Sequence, residues 1–335
     1  MILFDLICPE NLNSCSVRAL LSTIVRGAYL VLARVVLLAL LMCAQKESSS
    51  AVLYLMTFST VDNSKEAKPS AAFYPALKKA LKKRKFKLEH VCPATDTTAR
   101  RVLEEYGAMF LVNKDVKPPP VCVFLSGKEV DEFQARAGFA SETIADSMIE
   151  LQPAAMKAYL KARDEAIKEG LDITPRGGPE AARRSYAESE SLWNTRFLPA
   201  LEYWTAQGRI TATEADNLRA LPLNAQISHV LDLEQKGIFF SKDLSKSILY
   251  SIAAPGSSQH LAMLALDVTE FQDERVRQIL AEHGWFQTVL SDLPHFTYLG
   301  LKEKDLPKRG LKSVEVDGQV FWIPNVDHAE PSTPK

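Results

Sequence analysis

Two histidines and one carboxylate punctuate an otherwise apolar stretch of this chain. They lie in Ser258-Gln-His260-Leu-Ala-Met-Leu-Ala-Leu-Asp267 and in Leu293-Pro-His295-Phe-Thr-Tyr298. Leu264–Val268 and Phe296–Leu299 read as short strands, the second ended by Gly300. The turn Pro255-Gly256-Ser257-Ser258 can aim the side chain of His260 inward. A carboxylate that closes an apolar strand is expensive to bury unless it is paired. His260, Asp267 and His295 therefore form a candidate metal set that converges across neighbouring strands. Zinc in hydrolases is held by three such ligands, with a fourth position left for water. The competing reading is that these are ordinary structural histidines at strand edges.

Elsewhere the chain offers little chemistry. Its 40 basic and 41 acidic residues nearly cancel, which argues against a dedicated nucleic-acid binder. The exception is Lys78-Lys79-Ala-Leu-Lys82-Lys83-Arg84-Lys85-Phe-Lys87, which reads either as a solvated helix face or as a contact for an anionic surface. None of the five cysteines forms a CxxC pair, and Cys92 and Cys122 are candidates for pairing. Residues 1–45 resemble an export signal or membrane anchor. Arg18 and Arg26 precede the apolar run Gly27–Met42, which Arg34 interrupts. Residues 46–70 read as a linker that includes a second apolar patch, Ala51–Phe58. An exported chain, periplasmic or in the cell envelope with membrane association through the N-terminus, is the expectation.

Residues 71–145 read as a small α/β region. It has a basic helix over 71–87, a helix over Thr97–Tyr106, strands at Ala108–Val112 and Val121–Leu125 around Pro118-Pro119-Pro120, and a helix over Val130–Ala137. Pro153–Lys168 is a helix stopped by Gly170, followed by a short strand Leu171–Thr174. A helix begins near Glu180. The stretch 188–245 is helical, with an aromatic stripe through Trp193, Phe197 and Trp204 that reads as core. Thr211 and Glu214 have capping-box spacing at the start of a helix running to Leu221. Asp273–His283 is a helix and Trp285-Phe286 an extended piece. Residues 306–335 contain a hairpin, Leu311–Val316 and Gln319–Ile323, joined by Asp317-Gly318.

The segment Ser258-x-His260-x-x-Met263-x-Ala265-x-Asp267 resembles the signature Ser-x-His-x-x-Gly-x-Ala-x-Asp of the D-alanyl-D-alanine carboxypeptidases of the VanY type, the zinc D,D-peptidases. That family follows its signature with a helix, a Gly-aromatic pair and Glu-x-Trp-His; here stand Gly284-Trp285 and Asp292-Leu293-Pro294-His295. The family's Ser-Gly-Tyr-Arg-Ser turn is matched to Thr174-Pro175-Arg176-Gly177. The resemblance covers residues 150–305 and implies an α+β fold: a zinc D,D-peptidase (Hedgehog/DD-peptidase-like) architecture with a small antiparallel sheet and flanking helices, plus the helical insertion at 188–245. It implies Zn2+ on His260, Asp267 and His295, Asp292 as catalytic base, Arg176 as the cation for substrate and oxyanion with Arg183 and Arg184 as weaker alternatives that read as surface helix residues, and Ser258 in substrate binding. The implied substrates are peptidoglycan stem peptides ending in D-Ala-D-Ala. The alternatives are a catalytically impaired peptidoglycan-binding module on the same fold, or a zinc amidase or endopeptidase on another cell-wall amide. Met263 stands where the family has glycine, so the loop beside His260 is expected to open or repack. Asp292 is one methylene shorter than the family's glutamate, and Pro294 replaces its tryptophan.

Overall fold

The computed structural model describes residues 72–326, so the expected signal or anchor, the linker and the last residues of the tail lie outside the described residues. The fold is mixed: helices surround small antiparallel sheets, the α+β class. No helix among the described residues is long and apolar enough to cross a membrane.

The first half of the described chain is helical: α1 (Phe73–Lys83), α2 (Thr97–Tyr106) and α3 (Gly127–Ala137). Helix α1 buries Phe73, Leu77 and Leu81 at helical spacing and turns its lysines outward. Asp96 caps α2 by accepting from the Ala99 amide, and Ser126 does the same for α3 through Glu129. The two strands expected here do not form. Gly107–Leu111 is a fully buried 3-10 turn, and 121–125 is irregular. The first run is apolar because it is enclosed, so it lacks the alternation of a half-buried strand. In the second, Cys122 and Phe124 are buried and Leu125 is exposed, but the Cys122 and Phe124 amides donate to the carbonyls of Val91 and Gly256 and not to a neighbouring strand. Cys92 and Cys122 are disulfide-bonded, and the Cys122 amide donates to the Val91 carbonyl at 2.8 Å.

A hairpin that the sequence did not announce follows: β1 (Ala140–Ile144) and β2 (Ser147–Leu151), paired antiparallel from Ala140↔Leu151 to Ile144↔Ser147. Helix α4 (Pro153–Lys168) then begins with proline in its first turn, where the missing amide is harmless. Leu171–Thr174 is not a strand; only Pro175 bridges to Val268.

The helical insertion comprises α5 (Tyr186–Ala206), α6 (Ala212–Ala220) and α7 (Leu223–Glu234). Helix α5 starts later than Glu180, at the capping box Ser185/Glu188, because Gly177 and Gly178 adopt positive φ and a short 3-10 turn intervenes. The box at Thr211/Glu214 forms as its spacing predicts. Trp193, Phe197 and Phe240 stack through a core that also takes in Val102 and Tyr106 of α2. The aromatic stripe is thus packing, as expected. Buried Glu234 accepts the amides of Phe240 (3.3 Å) and Ile248 (2.6 Å), which fixes the loop leading out of the insertion. Burial pushes the pKa of that carboxyl up.

The central sheet is β3 (Ala265–Asp267), β5 (His295–Tyr298) and β4 (Trp285–Phe286), ordered β3-β5-β4 and antiparallel throughout. Helix α8 (Glu274–Glu282), capped by Asp273, connects β3 to β4. Its residues Val276, Ile279 and Leu280 share one core with Phe73, Leu103, Tyr159, Trp285 and Phe296. The C-terminal hairpin β6 (Leu311–Val316) and β7 (Gln319–Pro324) forms as predicted. Asp317 and Gly318 both take positive φ, the requirement of a tight hairpin turn.

Candidate metal centre

Local structure delivers each of the three predicted ligands. His260 sits on a 3-10 turn, Gln259–Ala262, that Ser258 begins by accepting the His260 amide. The preceding Gly256 has φ +81°, and a Cβ there would lie 2.0 Å from the Phe124 carbonyl oxygen. The Phe124 amide donates to the Gly256 carbonyl at 2.9 Å, so glycine permits a backbone contact that pins the loop. Met263 ends the turn with φ +54° and ψ +35°, the left-handed region. This explains the glycine of the resembling signature: the chain must reverse there before entering β3. Met263 takes the left-handed conformation itself and is completely buried.

The register of β3 and β5 does the rest. Asp267 pairs directly across the sheet with His295. His260 Nε2 lies 3.1 Å from His295 Nδ1 and 3.4 Å from Asp267 Oδ1, and His295 Nδ1 lies 3.1 Å from the same oxygen. Both histidines are buried and Asp267 nearly so.

The outward atoms of these side chains decide what the inward ones can do. His260 Nδ1 is 2.9 Å from the Ala182 carbonyl, which only accepts, so Nδ1 carries the proton and Nε2 is a bare lone pair. His295 Nε2 is 2.8 Å from Gln259 Oε1. The orientation of that amide is set by its other end, which donates to the Tyr106 carbonyl at 2.9 Å. His295 Nε2 is therefore the donor and Nδ1 is bare. Asp267 Oδ2 accepts from Arg184 Nη2 at 2.8 Å, which leaves Oδ1 facing the two imidazoles. Three lone pairs thus meet at 3.1–3.4 Å with no proton between them.

A tetrahedral ion with bonds of about 2.0–2.1 Å has ligand–ligand edges of about 3.3 Å, so this triangle fits one. The hydrogen bonds on the far side of each ligand are the kind that orient metal-bound imidazoles and carboxylates. The buried group His260, Asp267 and His295 can hold a metal ion. Charge is distributed to suit. Burial, then Arg184, bring the pKa of His260 down to about 4, so its imidazole is neutral and ready to ligate. The carboxyl of Asp267 is held well below its ordinary value against the cost of burying it.

Asp292 stands in the turn before β5, where its carbonyl accepts the His295 amide at 3.1 Å. It lines the same narrow cleft as Arg184, Ser258, His260 and His295, beneath a wall of Leu249, Ile252 and Tyr106. Asp292 is open to solvent at the rim, yet its carboxyl is ringed by protein, and this desolvation raises its pKa. His295 works against the rise, Asp267 adds to it, and Arg184 and then Arg176 oppose it.

The arginine assignment changes. Arg176 gives its backbone amide to the Asp267 carbonyl at 2.9 Å, but its exposed guanidinium lies over the Phe271 ring. Arg184 is the cation in contact with the ligand cluster, while Arg183 braces Glu150 and Gln134. The signal was present in the sequence: Arg184-Ser185 matches the last two residues of the Ser-Gly-Tyr-Arg-Ser turn, and Ser185 is the cap of α5. Gln259 and Tyr106, which orient His295, carried no signal of their own. A cavity of about 650 Å³ beside α8 and Trp322 includes none of the three ligands.

No protein-family model matches the chain, and no curated protein matches it.

Proposed function

We propose that the chain is an exported zinc D,D-carboxypeptidase-like metallopeptidase that hydrolyses D-Ala-D-Ala-terminated cell-wall peptides, on the fold of the zinc D,D-peptidases it resembles. The observation that carries this reading is the meeting of three bare lone pairs from His260, His295 and Asp267 at tetrahedral spacing. Two imidazoles and one carboxylate suit zinc, and three protein ligands leave a position for water. When bound, the ion would supply a water of lowered pKa and polarise the scissile carbonyl.

The chain's own residues would do the following. Asp292 takes the proton of the attacking water at its carboxylate and returns it to the leaving amine. Its raised pKa brings it closer to that double task than an ordinary carboxylate. Arg184 carries positive charge at the cleft, where negative charge develops on the substrate oxygen. Ser258 borders the cleft and its hydroxyl proton is free to point at substrate, because its oxygen accepts the His260 amide. The Cys92–Cys122 disulfide supports an oxidising compartment and, with the apolar N-terminal sequence, export.

The test is hydrolysis of a stem peptide ending in D-Ala-D-Ala, with metal content measured on the same sample. Chelator-sensitive turnover with one zinc per chain is expected. Asp292→Asn should abolish turnover and retain zinc. Arg184→Gln should lower turnover by about 10²–10³, and Arg176→Gln should leave it nearly unchanged. Stoichiometric zinc without turnover would replace this reading with a binding module on the same site; absence of zinc binding would end both.

A further inference from the structure

Helix α1 and the turn at 307–309 give the molecule one strongly cationic face. Residues 72–87 contain seven lysines and arginines and no carboxylate. Arg84 is turned inward, where its guanidinium donates to the carbonyls of Val112, Asn113 and Val116 and braces the fold. Lys78, Lys79, Lys82, Lys83, Lys85 and Lys87 stay exposed. No ion pair joins them to a carboxylate among the described residues. Across from the helix, Lys308 and Arg309 meet Lys79 and Lys83 over a groove of about 190 Å³ whose remaining walls are Ala76 and Ala80.

This clustering does not follow from composition, since the whole chain has a net charge of −1. Four cations around one groove repel one another, and an anion seated there relieves that repulsion. The face also carries an exposed aromatic, Phe86, at 37% accessibility between Lys85 and Lys87. Lysines that flank an exposed aromatic are the composition of a surface that rests on a lipid interface, where headgroup phosphates meet the cations and the ring enters the acyl boundary. In sequence, α1 is the first described helix after the apolar runs Val35–Met42 and Ala51–Phe58. We infer that the α1 face docks on an anionic phospholipid membrane, with the groove between Lys79, Lys83, Lys308 and Arg309 taking a headgroup phosphate. The inference is independent of what the metal centre does.

The experiment is co-sedimentation of the full chain with vesicles of phosphatidylcholine alone and of phosphatidylcholine mixed with phosphatidylglycerol. Comparison of wild type with variants of the α1 face cancels the contribution of the N-terminal sequence, whose apolar run and Arg18, Arg26 and Arg34 are common to all of them. The wild type should prefer the anionic vesicles, and the preference should fade as salt is raised. Each lysine near such a surface contributes about fivefold to partitioning. Replacing four together (Lys79→Gln, Lys82→Gln, Lys83→Gln, Lys308→Gln) should therefore lower binding to anionic vesicles by at least about a hundredfold, while the same four changed to Arg should retain it. Phe86→Ser should weaken binding at every salt concentration. Equal partitioning of the wild type on the two membranes would overturn the inference, as would a Gln variant that binds like the wild type. Displacement from anionic vesicles by a DNA duplex at matched phosphate, with tight DNA binding, would assign the face to nucleic acid instead. Should the fourfold Gln variant fail to melt like the wild type, the double variant Lys83→Gln with Lys308→Gln decides the question, with an expected loss of about 25-fold.

Discussion

Gln259 is fully buried and determines which nitrogen His295 presents. Its Oε1 accepts from His295 Nε2 at 2.8 Å and from the Thr297 hydroxyl, and its Nε2 donates to the Tyr106 carbonyl at 2.9 Å. Gln259→Leu keeps most of the volume and removes all three bonds. The His295 N–H and the Tyr106 carbonyl are then orphaned in a dry interior, at about 1–3 kcal/mol each. Added burial of leucine offsets part of this, so a metal-free loss of about 2–4 kcal/mol is expected. His295 also becomes free to carry its proton on Nδ1 and donate it to Asp267, a tautomer that cannot ligate. Zinc affinity should then fall by about 10–100-fold, the usual effect of removing such a partner. Gln259→Glu separates the two effects. It retains an acceptor for His295 but has no donor for Tyr106, so it should be destabilised and still bind zinc well. Urea unfolding of the metal-free protein reads the first quantity, and competition with a chromophoric chelator reads the second. Wild-type zinc affinity in the Leu variant would refute the tautomer argument. So would equal loss of zinc in the Leu and Glu variants.

Two further outcomes follow from the same geometry. His260 is neutral in both folded and unfolded chains above its ordinary pKa of 6.5; as pH falls, the unfolded chain takes up a proton that the folded one refuses until about 4. Stability of the metal-free protein should therefore drop by on the order of 3 kcal/mol between those limits. Urea unfolding across that range should show the slope in the wild type and a flatter one in His260→Gln; parallel slopes would remove His260 as its source. At Met263, glycine relieves about 1–2 kcal/mol of left-handed strain while deleting a buried side chain at about 2–5 kcal/mol. Met263→Gly should thus be less stable than the wild type but more stable than Met263→Ala by about 1 kcal/mol; the reverse order in thermal melts would mean that the turn does not hold its positive φ.

What could be read from the sequence was what local chemistry decides. The capping box at Thr211/Glu214 and the Asp317-Gly318 turn each specify their element within a few residues, and each forms. The β1–β2 hairpin escaped because its turn is Ala145-Asp146, both at positive φ without a glycine to announce it. The false strands have other causes. At 108–112, enclosure on all sides makes every residue apolar, and that erases the period that separates strand from tight helix. At 121–125 the alternation is real, but the amides of Cys122 and Phe124 go to Val91 and Gly256 and not to a strand. Within the metal centre, His260, Asp267 and His295 were legible because a charged or titratable group in an apolar strand demands a partner. Their second layer was not. Gln259 reads as a polar residue between Ser258 and His260 until the fold brings Tyr106 to it from 153 residues away. Arg184 lay between the two cases, since its dipeptide with Ser185 fitted the turn better than Arg176 did. The choice needed a fact that only packing provides. Arg184, which meets Asp267, lies two residues after Ala182, whose carbonyl orients His260. A single short segment, 182–185, therefore fixes one imidazole, neutralises one carboxylate oxygen and starts helix α5. Changes anywhere in that segment should be felt at the metal before they are felt in the fold.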